Sequence, residues 1–101
     1  MSVKINISGQ VLTAYLCGEI DHHTAVNMRR EIDAEIEKNM PEAVILDFRD
    51  VDFMDSSGIG LVMGRYKILK QTGAELHITN TSPSISKVMR IAGLNRLAKI
   101  D

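Results

Sequence analysis

A chain of 101 residues has room for one compact core, and with 45% hydrophobic and 25% charged residues and no long polar tract it reads as globular rather than disordered. Its 12 basic and 13 acidic side chains are interspersed and leave a net charge of −1, so no basic block draws the chain to a nucleic acid backbone. Cys17 is the single cysteine, which excludes an intramolecular disulfide and a cysteine-cluster zinc site.

The opening Met-Ser-Val-Lys-Ile lacks the charged and apolar regions of a signal peptide. No apolar stretch approaches the roughly 20 residues of a membrane span. The expectation is a soluble cytoplasmic protein that partners neither membrane nor nucleic acid.

In chain order, Val3 to Ser8 and Val11 to Cys17 are β-prone runs separated by Gly9-Gln10, which predicts a hairpin with Ala14, Leu16 and Gly18 on one face. Cys17 in this run is expected to be a small core residue. Asp21-His22-His23-Thr24 is a polar break. After it Ala25, Met28, Ile32 and Ile36 recur at the three- and four-residue spacing of an amphipathic helix, which Pro41 stops. Ala43 to Phe48 is nearly unbroken apolar sequence, as for a central strand buried on both faces, and Arg49 to Asp55 then predicts an acidic turn.

A second helix is expected from Ser56 or Ser57, with either serine as cap. Its buried stripe is Ile59, Val62, Met63, Tyr66 and Leu69, and Gly73 ends it. Glu75 to Thr79 alternates like a strand. Ser82-Pro83 opens a third helix with Ile85, Val88, Met89 and Ala92 inward, Gly93 closes it, and Leu97 to Asp101 has the makings of one more strand. Strands alternating with helices predict an α/β fold, a mixed β-sheet covered by helices in a single small domain.

The chemistry concentrates at strand-to-helix junctions. Asp55-Ser56-Ser57-Gly58 puts hydroxyls at a helix N-terminus, where free amides and the helix dipole favour an added phosphate. The plainer reading is that these serines only cap. Ser56 with His22 or His23 and Asp21 has the residue types of a hydrolytic triad, without a Gly-x-Ser-x-Gly elbow. Asp47, Asp50, Asp52 and Asp55 crowd one segment as in a phospho-aspartate receiver, without that fold's acidic pair after the first strand or its late lysine. A solvated acidic turn is the simpler expectation, and no cofactor or metal is predicted.

On the second helix Gly60, Leu61, Gly64 and Ile68 fall opposite the buried stripe. Each glycine lowers helix propensity by about 1 kcal/mol against alanine, which suggests that a partner approaches that face closely. Ser56, Gly60, Leu61, Gly64 and Ile68 form the candidate docking surface.

Taken in order, Gly18-Glu19-Ile20-Asp21-His22-His23-Thr24-Ala25, Phe53-Met54-Asp55-Ser56-Ser57-Gly58-Ile59-Gly60, Gly64-Arg65-Tyr66-Lys67, Ser82-Pro83 and Gly93-Leu94 resemble the STAS family of anti-anti-sigma factors, over nearly the whole chain and most closely in its sporulation branch. The resemblance implies a non-enzymatic phosphoprotein that regulates transcription by partner switching. Unphosphorylated, it binds an anti-sigma factor that is also a serine kinase and so frees the sigma factor. Phosphorylation at Ser56 ends binding and a serine phosphatase restores it. The resemblance adds Asp21, Asp55, Ser57 and Gly58 to the candidate partner-binding residues. The general-stress branch shares the fold and Ser56 and is the alternative, with a small serine hydrolase as the alternative from another class. Family members usually continue into a further C-terminal helix, whereas this chain stops at Ile100-Asp101, so the expectation is a single STAS domain over 1–101 without that helix.

Overall fold

The computed structural model describes residues 3–101, so two residues of the expected domain, 1 and 2, lie outside the described ones. The front hairpin is present. β1 (Val3–Ser8) and β2 (Val11–Ile20) pair antiparallel from Val3↔Leu16 to Ser8↔Val11, and Gly9 at φ +59° supplies the left-handed turn between them.

Then follow α1 (His22–Asn39), β3 (Ala43–Met54), α2 (Ser56–Thr72), β4 (Glu75–Thr79), α3 (Pro83–Ile91), a 3₁₀ turn (Leu94–Arg96) and β5 (Lys99–Ile100). The sheet order is β1-β2-β3-β4-β5, with only the first pair antiparallel, so the predicted mixed sheet with helical crossovers is observed.

That order moves one step per crossover in a single direction, and right-handed crossovers then place the helices on one face. The burial of the cross-strand rows agrees. Leu12, Val44 and Leu76 are neighbours in register and buried, as are Ala14, Leu46, Ile78 and Ile100. The alternate row Thr13, Ile45, His77 and Lys99 is half-buried or exposed.

Two expectations therefore fail for one reason. Ala43 to Phe48 is not buried on both faces, because Ala43, Ile45 and Asp47 point to the uncovered side and are only half-buried. Cys17 is exposed rather than in the core, since it alternates with Leu16 and sits on that same open face.

The acidic turn expected over Arg49 to Asp55 is instead the second half of β3. β2 runs on to Ile20 and pairs with it as Cys17↔Asp50, Gly18↔Val51, Glu19↔Phe53 and Ile20↔Met54, with two register shifts. Gly18 at φ +86° lies at the second shift, and the β-prone apolar residues Val51, Phe53 and Met54 outweigh the intervening acids.

α1 buries Met28, Ile32 and Ile36 as its spacing predicts. It ends with Met40 in the left-handed conformation, just before Pro41. α2 differs. Its buried residues are Gly58, Leu61, Val62, Arg65 and Leu69, while Ile59, Met63 and Tyr66 are half-buried. The inward face is turned because α2 packs on α1 as well as on β4, so it must bury a flank as well as a floor. Leu61, assigned to the outer side, is 4% exposed and belongs to the core.

α3 is capped by Ser82 with Pro83 at its first position, as predicted, yet buries only Ile85 and Met89. Val88 and Ala92 are exposed, because this short helix touches the core along one edge and the 3₁₀ turn.

Candidate functional site

Asp21 and Asp55 end adjacent parallel strands. The Asp55 N–H donates to the carbonyl of Ile20 at 3.1 Å, which ties the start of α2 to the end of β2 and brings the two motif segments side by side.

Each aspartate caps the helix that follows it. Asp21 Oδ1 accepts from the N–H groups of His23 and Thr24, both at 2.9 Å, and the Asp21 N–H donates back to Thr24 Oγ1 at 2.9 Å, a closed capping box. The amide of Thr24 above all, with that of His23, holds the Asp21 carboxyl below the usual range. The predicted polar break is thus the first turn of α1.

At α2, Asp55 Oδ1 accepts from the Ser57 N–H at 2.8 Å. The cap is Asp55, not a serine, and this overturns the plainer reading of the motif. Among the described residues neither the Ser56 nor the Ser57 hydroxyl makes a hydrogen bond; Ser56 is exposed and Ser57 half-buried. Gly58 lies beneath them against β3, where a Cβ would overlap Cγ and Sδ of Met54. Its role is to let α2 sit on the strand end.

α1 and α2 diverge around a groove of about 250 Å³, with His22, Val26 and Arg29 on one wall and Ser57, Gly60 and Leu61 on the other. Of the remaining candidates, Gly60 is exposed and Gly64 half-buried, and a Cβ at either would meet nothing within 4 Å. Neither glycine is demanded by this chain's own packing. Ile68 is half-buried against the core, two turns further along, so the structure gathers Asp21, Asp55, Ser56, Ser57, Gly60 and the edge of Leu61, and leaves Ile68 at the margin.

The seam between the helices contains a charge pair that the sequence reading missed. Arg65 is 4% exposed, its Nε lies 2.7 Å from Asp33 Oδ1, and its Nη1 donates to the Leu61 carbonyl at 3.2 Å. The Nε–Oδ1 approach is angled away from the N–H direction, so the pair holds by charge attraction rather than as an aligned hydrogen bond. Burial pushes the Asp33 carboxyl up and the Arg65 guanidinium down, each opposed by the other's charge. Arg65 lies four residues after Leu61 and four before Leu69, a row of otherwise apolar inward positions, and that spacing was the available signal.

The other chemistries do not assemble. Asp21 is engaged by its own helix amides, the His22 and His23 rings meet each other edge-on at 5.9 Å, and no hydrogen bond joins either ring to Ser56, so no triad geometry forms among the described residues. Asp47 accepts from the Arg49 N–H and from Asn80 Nδ2, both at 2.9 Å, and Asp55 is a cap. Spread along an extended strand, the four acids form no receiver-like pocket. Among the described residues no group of three or more His, Cys, Asp or Glu side chains is poised around a metal.

Comparison with known proteins leads to the same place. A family model described as the STAS domain matches residues 2–101. The chain is 36% identical over 90 residues to an anti-sigma F factor antagonist of Paenibacillus polymyxa, spanning 89% of this chain and 77% of that one. It is 31% identical over 100 residues to an anti-sigma-B factor antagonist of Bacillus subtilis, spanning 99% and 90%.

Among solved structures, the anti-sigma factor antagonist SpoIIAA in its unphosphorylated form matches with a TM-score of 0.85 at 30% identity, over 98% of this chain and 87% of that one. The phosphorylated form of SpoIIAA from Bacillus matches at 0.78 and 30%, over 98% and 90%. The fold match and the family match over residues 2–101 agree, and this chain belongs to the STAS domain family.

Proposed function

We propose that this chain is an anti-sigma factor antagonist run as a partner switch with Ser56 as the phosphoacceptor. In the unphosphorylated state the surface around the start of α2 binds an anti-sigma factor that is also an ATP-dependent serine kinase, and the sigma factor is released. Phosphate on Ser56 ends that binding, and a serine phosphatase restores it. The observation that carries the reading is the free, exposed Ser56 hydroxyl in the first turn of a helix already capped by Asp55.

The physical chemistry supports each step. A kinase needs a hydroxyl it can reach, and Ser56 can be modified without breaking a cap or a core contact. The product phosphate stands at the positive end of the α2 dipole, so the helix tolerates it. It adds about −1.5 to −2 charge beside the Asp55 carboxylate, which blocks a partner by bulk and repulsion without refolding the domain. The open space at Gly60 and Gly64 supports close approach of the partner along the same side of α2.

The sporulation branch is favoured over the general-stress branch by Asp21-His22-His23-Thr24 and Gly64-Arg65-Tyr66-Lys67, and by the higher identity to the anti-sigma F antagonist. The test is intact mass after incubation with ATP and candidate anti-sigma kinases. One added phosphate on the natural chain and none on Ser56→Ala is expected. Phosphate on Ser56→Ala moves the acceptor to Ser57, and no phosphate with any sporulation or stress kinase ends the switch reading.

A further inference from the structure

The α1–α2 groove has a charge balance that the fold itself does not use. Arg29 is exposed on its wall and makes no ion pair within 4 Å among the described residues. His22 stands about two turns before it on the same wall, and no aspartate or glutamate lines the groove.

The neighbouring acids are committed elsewhere. Asp21 serves the α1 cap, Asp55 the α2 cap, and Asp33 the buried Arg65. Arg29 is close enough to act on both members of the Asp33–Arg65 pair, so two guanidinium groups face one carboxylate at this seam and one positive charge is unmatched. Between the polar walls, Val26, Gly60 and Leu61 give an apolar bed. Ser57, whose hydroxyl is unbonded among the described residues, lines the same space.

We propose that this groove receives one acidic side chain of the partner protein, its methylenes on Val26 and Leu61 and its carboxylate on Arg29 and Ser57. The proposal rests on the partner-binding reading above and deepens it. It also gives the switch a second lever. A phosphate on Ser56, the residue before Ser57, places negative charge at the mouth of a site built for a carboxylate, so the partner's own acid is repelled.

The experiment measures affinity of the intact, unphosphorylated chain for the anti-sigma kinase identified by the phosphorylation test, for the natural sequence, Arg29→Glu and Arg29→Gln, at low and high salt. Arg29→Glu is expected to lose about tenfold or more in affinity and Arg29→Gln less, and Arg29→Gln is expected to flatten the salt dependence. Acidic surface residues of the kinase are then changed singly to lysine, and one of these changes is expected to restore binding to Arg29→Glu while weakening binding to the natural chain.

Natural chain that binds while Arg29→Gln binds equally at both salts overturns the groove proposal and leaves the switch standing. Loss on Arg29→Glu that no partner lysine restores also overturns it. Failure of the natural chain to bind any such kinase removes the switch reading itself. Arg29→Gln keeps the side-chain length at an exposed position, so it carries the test if Arg29→Glu does not fold.

Discussion

The two helices that begin at neighbouring strand ends are capped by the same residue type and treat their hydroxyls in opposite ways. At α1, Asp21 takes two amides and Thr24 Oγ1 is fully used, accepting from the Asp21 N–H and donating to the Glu19 carbonyl at 2.8 Å. At α2, Asp55 takes one amide, that of Ser57, and the hydroxyls of the two serines after it bond to nothing among the described residues. One terminus spends its hydroxyl on holding the chain, and the other leaves its hydroxyls free for chemistry. A hydroxyl beside a helix start is therefore uninformative by type. Whether a neighbouring carboxylate has already taken over the cap decides what it can do.

The comparison holds only while α1 and α2 keep their relation, and the largest expected effect is at the pair that pins them. Asp33→Ala leaves the Arg65 guanidinium buried with only the Leu61 carbonyl, and a loss of about 3 kcal/mol in denaturant unfolding is expected, the low end for a broken buried pair because Asp33 keeps some contact with water. The double variant Asp33→Leu, Arg65→Met should recover much of that loss. A double variant no better than Asp33→Ala would mean that the pair is a net stabiliser rather than a registered cost.

Next come the caps. Asp21→Ala is expected to lower stability more than Asp55→Ala, whose single capping bond is worth about 1 kcal/mol. pH separates them further. The Asp21 carboxyl is held below its ordinary value of 3.8, so its contribution is present above that value and is lost as pH falls through the folded-state value. The stability gap between the natural chain and Asp21→Asn should therefore close in melts taken at progressively lower pH below about 4. Asp33 is raised and has the opposite sign: the pH-dependent part of its contribution is present below 3.8 and is lost as pH rises through its folded-state value, while its pairing with Arg65 remains.

Much of this was legible in the sequence, for reasons that can be named. The hairpin turn, the buried stripe of α1, β4 and the Ser82-Pro83 start are short-range features, set by turn residues, three- and four-residue spacing and a cap, and these are where they were expected, although β2 runs on to Ile20 and α1 starts at His22 rather than after Thr24. The strand-to-helix junction that holds the candidate site was legible too, since Asp55-Ser56-Ser57-Gly58 stands between β3 and α2.

What was not legible depended on neighbours far along the chain. β3 extends past Phe48 only because β2 continues beside it to Ile20. Cys17 and Ile45 face open space because the crossovers all fall on the other side of the sheet. α2 turns Leu61 and Arg65 inward because α1 is there to receive them. Period and propensity carry no information about which flank of a helix a second helix will cover.

A smaller effect with two signs sharpens the contrast on the α2 side. Gly60→Ala adds a methyl that meets nothing within 4 Å, so it should raise stability by up to about 1 kcal/mol through helix propensity. The same methyl should weaken kinase binding if the partner approaches there. A variant more stable and equally well bound would remove Gly60 from the docking surface.

The smallest expected change in stability is the one that tests the comparison most directly. Ser56→Ala removes a hydroxyl that holds nothing and should leave the unfolding midpoint within about 0.5 kcal/mol of the natural chain, as for an ordinary surface substitution. Thr24→Ala removes a hydroxyl with two backbone partners and should cost about 1 kcal/mol. Equal losses would mean that Ser56 carries a structural bond after all, and its availability to a kinase would then have to come from fraying of the first turn. A loss at Thr24 with none at Ser56 leaves the α2 hydroxyl free in the folded state, the condition under which phosphate can be added and removed without disturbing the fold it reports on.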